Sequence, residues 1–273
     1  SSDRFSDRSL DDESLFAPNS DGDADLGDQL ILKRTRSKSP LRASLHTHLY
    51  YSNNVTNADV GTQAGFIWSS HVEGSWRPEL KPTLFANVAA SQSFYQYENN
   101  VDLDFTNNQL EAGLIKIFPK YDIILTADVV HQIARRNFIS DKIHNITSVR
   151  VGGYKTFFSN PQVSSYVALD LSADLDSSND GVKRNEVTLR LGHTRKFSDR
   201  VKLTFFSDVS YYDYSKVSRE DVNVVIGTQL EYTLTKNVSL FSSLSYSRNN
   251  SDVPGLDYST TLGSIGIGLQ ATF

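Results

Sequence analysis

The last ten residues of the chain, 264–273, read SIGIGLQATF and alternate apolar side chains with polar or small ones. One side of this segment carries Ile265, Ile267, Leu269, Ala271 and Phe273, and the other side carries Gly266, Gly268, Gln270 and Thr272. A period of two is typical of a β-strand, because successive side chains point to opposite faces. The segment therefore predicts a strand whose two faces meet different surroundings.

The same alternation recurs from position 41 onward. Twelve segments show it, at residues 42–52, 60–72, 83–97, 109–118, 121–133, 146–158, 163–175, 185–196, 201–214, 222–234, 238–248 and 258–273. Residues 41–273 number 233. This leaves about 19 residues for each strand with its connection, which suffices for strands of roughly ten residues or more. An even number of strands returns both ends of the chain to the same side.

The connections alternate in length as well. Short links at residues 119–120, 159–162, 197–200 and 235–237 carry Pro, Asp, Asn or Lys, which suit turns. Longer polar links lie between them, at 99–108, 134–144, 176–183, 215–221 and 249–257. The stretch GSWRPELKP at 74–82 is long where a short turn is expected. Short turns at one end and long loops at the other are typical of transmembrane β-barrels.

Two architectures fit such strands, a soluble β-sandwich or β-helix and a membrane barrel. Sandwich strands are usually shorter, near five or six residues, and their outer faces meet water. Here the predicted outer faces are almost free of charge at their centres, and aromatic residues gather near the strand ends, as they do at membrane interfaces. The predicted aromatic girdle consists of Tyr51, Phe94, Phe118, Tyr121, Tyr211, Tyr232, Tyr246 and Phe273. We therefore favour the membrane barrel.

Composition excludes several other classes. The chain is 38% hydrophobic, yet it has no apolar run near the roughly 20 residues that a transmembrane helix needs. It contains no cysteine, which excludes a disulfide scaffold, thiolate zinc sites and a cysteine nucleophile. The net charge is −5 and the basic residues are scattered, a distribution that argues against nucleic-acid binding.

The ending IGIGLQATF, with Phe273 as its last residue, resembles the insertion signal of Gram-negative outer-membrane β-barrel proteins of the porin-like type. Ala271 occupies the third position from the end, where many members have an aromatic residue. More loosely, the ending DYSTTLGSIGIGLQATF is similar to that of β-barrel porins found beside exopolysaccharide export systems.

The resemblance implies an all-β, antiparallel, up-and-down transmembrane barrel in the bacterial outer membrane. It also implies a cleaved signal peptide, contact with outer-membrane lipid, insertion by the barrel-assembly machinery, termini in the periplasm and long loops facing outward.

The polar faces would line the lumen of such a barrel. They carry both signs of charge, and we predict a solute pathway formed by Arg42, His46, His48, Asp128, Arg150, Asp170, Arg190, Lys202, Asp208 and Glu231. Charges of opposite sign can orient a passing solute, or they can pair with one another and fill the interior. The sequence thus predicts a pore for small hydrophilic solutes, including charged or saccharide-like ones, or the outer-membrane component of an export assembly. The alternative is a non-conducting structural or assembly barrel that presents its loops or tail to partner proteins.

An enzyme would need a nucleophile, a base and an orienting group within reach of one another. The candidates are His46, His48, Ser52 and His193. The chain has no His-x-Ser sequence, which outer-membrane phospholipases and lipid A deacylases use. We therefore predict that the protein is not an enzyme and has no catalytic residue.

Two patterns could indicate a metal ion. His46 and His48 share one strand face, but no third ligand follows at a defined spacing. The stretch DSSNDG at 176–181 matches the opening of a calcium loop, but Val187 stands at the twelfth position, where such a loop needs a glutamate. A hairpin tip explains the same residues. We predict no metal site and no cofactor.

Residues 1–40 differ in composition from the rest of the chain. Residues 1–28 hold nine acidic residues and two arginines, and 33–38 read KRTRSK. Such a segment buries too little apolar surface to fold alone. We predict an unstructured, flexible periplasmic tail that could instead enter the lumen as a plug or bind a periplasmic or envelope protein. The predicted division is therefore 1–40 for the tail and 41–273 for the barrel.

Overall fold

The computed structural model describes residues 40–99, 103–136 and 142–273. These residues form long β-strands connected in sequence order. The strands are β1 (Leu41–Ser52), β2 (Gly65–Trp76), β3 (Glu79–Lys81), β4 (Leu84–Tyr97), β5 (Phe105–Phe118), β6 (Ile123–Arg136), β7 (Lys142–Ser159), β8 (Val163–Ser177), β9 (Asn185–Lys196), β10 (Val201–Tyr214), β11 (Arg219–Thr235), β12 (Val238–Ser251) and β13 (Tyr258–Thr272). No helix among the described residues is long and apolar enough to cross a membrane.

The strands close into an antiparallel barrel. β1 pairs with β13 on one side and with β2 on the other, and β2 pairs with β4. From β4 to β13 each strand pairs with the next one along the chain. The barrel therefore has twelve strands, because the three-residue β3 pairs only with β4 and takes no part in closure. Closure gives each of the twelve wall strands a described neighbour on both sides, so these strands can satisfy their backbone donors and acceptors within the barrel.

The prediction of a twelve-stranded antiparallel barrel is confirmed. The bounds of β9 and β10 agree with the predicted segments 185–196 and 201–214. The predicted segment 60–72 lies too early, since β2 runs from Gly65 to Trp76. β5, β7 and β11 begin three or four residues earlier than predicted, because polar residues assigned to the long loops still pair with the neighbouring strand.

The connections fall into two groups, which define two ends of the barrel. The turn end holds both chain ends of the barrel, near Leu41 and Phe273, with the short links at 119–122, 160–162, 197–200 and 236–237. One of these links is a short 3-10 helix, Pro119–Tyr121, followed by Asp122 in the left-handed conformation with φ 52°. The loop end holds the longer connections, such as residues 53–64 and 252–257.

The long turn-end stretch at 77–83 contains β3, which folds back on β4. Thr83 adopts a positive φ of 69° in the tight turn between the two strands. Residues 74–82 are therefore partly strand: β2 continues to Trp76, and Arg77 N–H donates to the carbonyl of Pro40 at 2.7 Å.

Two glycines on the inner wall make room for aromatic rings of the neighbouring strand. Gly192 on β9 is paired with Tyr166 on β8, and Gly227 on β11 is paired with Phe206 on β10. A Cβ atom on Gly192 would lie 2.7 Å from the Tyr166 hydroxyl, and one on Gly227 would lie 2.9 Å from Cε1 of Phe206. Each ring thus lies flat against bare backbone, a device that stabilises glycine positions in sheets.

Candidate solute pathway

The two faces of the wall differ sharply in chemistry. On β9, Val187, Leu189 and Leu191 are 43%, 42% and 47% exposed, whereas the intervening Thr188 and Arg190 are 2% and 8% exposed. The same outward apolar surface appears on the other strands, at Leu45, Leu49, Val88, Leu110, Leu114, Leu125, Val129, Leu169, Leu171, Ile226, Leu244 and Ile265. The outer surface is therefore apolar, as contact with lipid requires, and polar side chains lie on the inner face.

The residues of the predicted aromatic girdle lie on the outside or at the ends of the barrel. Six of them are between 39% and 66% exposed: Tyr51, Tyr121, Tyr211, Tyr232, Tyr246 and Phe273. Phe94 and Phe118 are half-buried on the outer faces of β4 and β5. Tyr51 contacts Phe66 of the neighbouring strand with 5.3 Å between the ring centroids.

All ten residues of the predicted solute pathway lie on the inner face, and several of them meet. Asp128 on β6 is directly paired with Arg150 on β7. On the next strands, Arg190 Nε lies 3.5 Å from an Asp170 carboxylate oxygen, and Arg190 is directly paired with Asp208. Charges of alternating sign therefore follow one another around the wall from β6 to β10.

This row continues toward β2 through residues that the sequence prediction did not include. Arg77 lies 3.9 Å from Glu73 and donates from Nε to Asn87 Oδ1 at 2.8 Å. Asn87 in turn donates to Glu111 and, at 3.2 Å, to Asp128. We call the whole row the charge belt: Glu73, Arg77, Asn87, Glu111, Asp128, Arg150, Asp170, Arg190 and Asp208. Every acid in it has a basic or amide partner nearby.

Two other predicted residues form a separate pair nearer the turn end. Lys202 Nζ lies 3.7 Å from a Glu231 carboxylate oxygen, and Ser239 donates to the other oxygen at 3.0 Å. Lys202 is 8% exposed and Glu231 is 7% exposed. This pair lies six residues along β10 from Asp208, so the ten predicted residues do not form one site.

The inner wall changes character on β12, β13 and β1. β12 and β13 are described over their full length and carry no charged residue on their inner faces. His46 and His48 of β1 each lie 6.0 Å, between ring centroids, from Phe241 of β12. Both imidazoles cover the backbone of β13, where Gly266 is paired with His48 and Gly268 with His46.

A cluster of arginines and tyrosines lines the inner face at the loop end. The guanidinium carbon of Arg184 lies 4.1 Å from the ring centroid of Tyr212, and that of Arg219 lies 4.2 Å from the ring centroid of Tyr214. Arg184 also donates to the Tyr214 hydroxyl at 3.2 Å. Arg219 pairs with Asp221, which is fully buried. These contacts hold β9, β10 and β11 together at the mouth of the barrel.

The loop between β1 and β2 folds into the same mouth from the other side. Val55 is 9% exposed and belongs to an apolar cluster with the inner-face residues Tyr50, Ile67, Tyr95, Tyr97 and Leu262. Asn54 anchors the loop, because its Nδ2 donates to the carbonyls of Ala58 at 2.9 Å and Ser259 at 3.1 Å. One side of the mouth is thus filled by fixed, apolar side chains.

Comparisons with known proteins agree with this architecture. Residues 165–271, which extend from β8 to β13, match the family model described as "Putative beta-barrel porin 2". An outer-membrane channel from Pseudomonas putida F1 is similar in structure, with a TM-score of 0.61 and 10% identity over 85% of this chain and 96% of that one. A bacterial polysaccharide outer membrane secretin is similar with a TM-score of 0.51 and 10% identity, over 85% of this chain and 98% of that one. No curated protein matches the chain in sequence.

The chain has the closed β-barrel fold of outer-membrane channels, and its C-terminal part resembles a β-barrel porin family. At 10% identity the solved structures show a shared fold, and the family match covers the C-terminal strands. The predicted resemblance to porin-like β-barrels is therefore confirmed.

The candidate enzyme residues that the sequence offered do not come together. His193 lies on the outer face of β9, with its Nδ1 2.8 Å from the Ser165 hydroxyl. Ser52 lies on the inner face at the loop end and shares a hydrogen bond with Thr260 at 3.0 Å. His46 and His48 contact Phe241 rather than Ser52. Ser52, His46 and His193 are therefore distributed over two faces of the wall.

Neither metal pattern assembles a ligand set in the described part of the chain. No group of three or more His, Asp or Glu side chains in 40–99, 103–136 and 142–273 is placed to hold an ion. The DSSNDG stretch forms a turn in which Asn179 accepts hydrogen bonds from the N–H groups of Gly181 and Val182. The predicted tail lies, apart from Pro40, outside the described residues.

The sequence prediction missed Arg77, Glu111, Arg184 and Arg219. Arg77, Arg184 and Arg219 stand in or beside segments that were assigned to connections. Glu111 belongs to a predicted strand, in which Gly113 and Ile115 share its face. Because this face has both polar and apolar residues, the pattern did not show whether it points to the lumen or to the outside. Counting in steps of two from Asn107, which is also polar, would have placed Glu111 inside.

Proposed function

We propose that this barrel is a pore that lets small hydrophilic solutes cross the outer membrane. The observation that carries the proposal is the closed wall with an apolar outside and a charged, hydroxyl-rich inside. Eight strands enclose a space that side chains fill, whereas 16 to 18 strands leave an aqueous channel. Twelve strands lie between these cases and enclose a wider space than eight strands do. The same pore could serve as the outer-membrane component of an export assembly.

The orientation we propose places the turn end, with both termini, in the periplasm and the loop end outside the cell. Short periplasmic turns and long outer loops are general features of such barrels. In this orientation the apolar band contacts outer-membrane lipid, the barrel-assembly machinery would insert the chain, and residues 1–40 would be available to a periplasmic or envelope protein. We propose no catalytic role for the barrel.

The chain has no natural cysteine, which permits a sharp test with single cysteine variants. Ser172 lies on the inner face of β8, and the next residue, Ala173, lies exposed on the outer face. In planar bilayers we expect the unmodified protein to produce conductance steps. A charged, water-soluble methanethiosulfonate reagent should then lower the conductance of Ser172→Cys and leave Ala173→Cys unchanged. A protein that shows the heat-dependent gel shift of a folded barrel but conducts neither with nor without residues 1–40 would refute the pore.

A second function, a non-conducting barrel that presents its loops or tail to partners, rests on the burial of the inner charges. Arg190, Lys202, Asp208 and Glu231 are only 6% to 8% exposed, and the apolar cluster around Val55 occupies part of the mouth. Deleting residues 1–40 separates the cases. Conductance that appears only after the deletion would assign the closure to the tail, whereas silence of both forms favours the structural barrel.

A further inference from the structure

The charge belt holds five carboxylates and three guanidinium groups, so its formal charge is 3 − 5, or −2. Glu73 lies 3.9 Å from Arg77, and Asp170 lies 3.5 Å from Arg190. The separate pair nearer the turn end, Lys202 with Glu231, joins one positive and one negative charge. Asn87 donates hydrogen bonds to Glu111 and Asp128 but carries no charge, so two carboxylates of the belt have no offsetting cation within it. A pore with such a wall prefers cations to anions while the neighbouring histidines are neutral.

Three imidazoles lie together on the inner wall beside the charge belt. His46 on β1 is directly paired with His71 on β2, and His48 follows two residues later on the same face of β1. Both His46 and His48 contact Phe241 at 6.0 Å between ring centroids. His71 is fixed by a 2.8 Å hydrogen bond between its Nδ1 and the Ser93 hydroxyl. We call these three residues the histidine cluster.

The charged groups near the histidine cluster do not balance three additional positive charges. β12 and β13, which lie on one side of the cluster, present no charged side chain on their inner faces. On the other side, Glu73 is 3.9 Å from His71 Nε2 and also 3.9 Å from Arg77. Arg42 lies on the inner face of β1 itself. On β4, the inner residues paired with His71 and Glu73 are Ser93 and Ser91. One acid thus faces two arginines and three imidazoles, with Tyr50 and Tyr95 as the further titratable groups at the loop end.

We propose that the histidine cluster sets the ion selectivity of the pore and changes it with pH. The inference rests on the proposed function as a pore. Imidazole is the side chain whose charge ordinarily changes nearest neutral pH, and the belt beside the cluster carries a net negative charge. Protonation of the cluster therefore adds positive charge to one sector of the wall and offsets that negative charge. The pore should pass anions increasingly well, relative to cations, as the solution becomes acidic.

The test measures the reversal potential of the unmodified barrel in a potassium chloride gradient at a series of pH values from neutral to acidic. We expect the ratio of chloride to potassium permeability to rise by about two-fold or more on acidification. The triple variant H46N/H48N/H71N keeps side chains of similar polarity and should lose most of this rise. The difference between the two proteins at each pH removes the contribution of carboxylates that titrate in the same range.

Other histidines supply matched controls. His131 and His193 lie on the outer face and hydrogen bond to Thr147 and Ser165, and His144 lies on the inner face at the loop end of β7. H131N/H193N should keep the full pH response, and so should H144N. A response of equal size in H46N/H48N/H71N, or its loss in a control, would overturn the proposal. Absence of any conductance would instead refute the pore itself, so the two failures are distinguishable.

Discussion

Arg190 and Asp170 lie on neighbouring strands of the barrel, with 3.5 Å between Nε and a carboxylate oxygen, although they are not directly opposite in register. Arg190 is paired with Ala168, and Asp170 is paired with Thr188. The contact is diagonal, so it depends on the stagger between β8 and β9. On its other side Arg190 is directly paired with Asp208. One guanidinium therefore lies between two carboxylates of the charge belt.

Replacing Arg190 with Ala should both weaken the barrel and change its ion preference. The change leaves Asp170 and the buried Asp208 without the cation that lies between them, and depriving a part-buried charged group of its partner costs about 1–3 kcal/mol. We expect a lower free energy of unfolding in detergent and a shift of the reversal potential toward cation selectivity. Arg195→Ala is the matched control, because Arg195 lies on the outer face of the same strand. Equal selectivity of both variants would contradict the belt.

A second prediction concerns the close approach of Tyr166 to Gly192. A methyl group at Gly192 would collide with the Tyr166 ring, so Gly192→Ala should destabilise the barrel by about 1–3 kcal/mol. Gly74→Ala should have little effect, because nothing lies within 4 Å of a Cβ built on Gly74. Fluorescence of the two tryptophans can follow unfolding by guanidinium in both cases.

The cause of that loss can be isolated with a double variant. If the collision with the ring is responsible, Gly192→Ala should cost much less when Tyr166 is already Ala, since neighbouring residues couple in a double-mutant cycle. Additive losses in Gly192→Ala and Tyr166→Ala would show that the ring and the glycine do not depend on each other.

A third prediction concerns the loop between β1 and β2. Asn54 joins this loop to Ser259 and Ala58 through its side chain, and it is 1% exposed. Asn54→Ala should free residues 55–63 and make them sensitive to added protease in the folded barrel. Asp59→Ala, at an exposed position of the same loop, should remain resistant. Unchanged protection in Asn54→Ala would mean that the apolar contacts of Val55 alone hold the loop.

The strands were predictable because each residue in a barrel wall meets either lipid or the lumen. This two-sided environment imposes a period of two on the sequence, and the alternation is regular from Val187 to Leu191 in β9 and from Val201 to Phe205 in β10. The start of β2 was predicted wrongly. Residues 60–64 alternate like a strand, but they belong to the loop that Asn54 ties to Ser259, and a contact between residues 205 positions apart leaves no local signal.

The candidate pathway was predictable in its faces but not in its contacts. The alternation of side chains along each strand places Asp170 and Arg190 on the inner wall. Whether the two side chains contact each other depends on the stagger between β8 and β9, which the sequence does not show. Arg77 was not predicted, because the neighbouring Pro78 and the short β3 give the end of β2 the sequence pattern of a loop. That these inner residues line a route for solute stays a prediction.

A final prediction concerns Tyr214 at the mouth of the barrel. Two substitutions of this residue should lower the unfolding free energy by different amounts. Tyr214 contacts Arg219 through its ring, with 4.2 Å to the centroid, and accepts a hydrogen bond from Arg184 through its hydroxyl. Tyr214→Phe keeps the ring and loses the hydroxyl, so it should cost about 1 kcal/mol of unfolding free energy. Tyr214→Ala loses both contacts and should cost clearly more, since buried aromatic-to-alanine changes reach about 3 kcal/mol or above.

The control for this pair is Tyr211→Ala, because Tyr211 stands on the outer face of the same strand and is 40% exposed. It should change the unfolding free energy less than Tyr214→Ala does. If Tyr214→Phe proves as damaging as Tyr214→Ala, the hydrogen bond from Arg184 carries the whole stabilisation and the ring contact with Arg219 contributes nothing. If Tyr214→Phe leaves the unfolding free energy unchanged, the contact between Arg219 and the ring is the stabilising one, because phenylalanine keeps the ring of tyrosine.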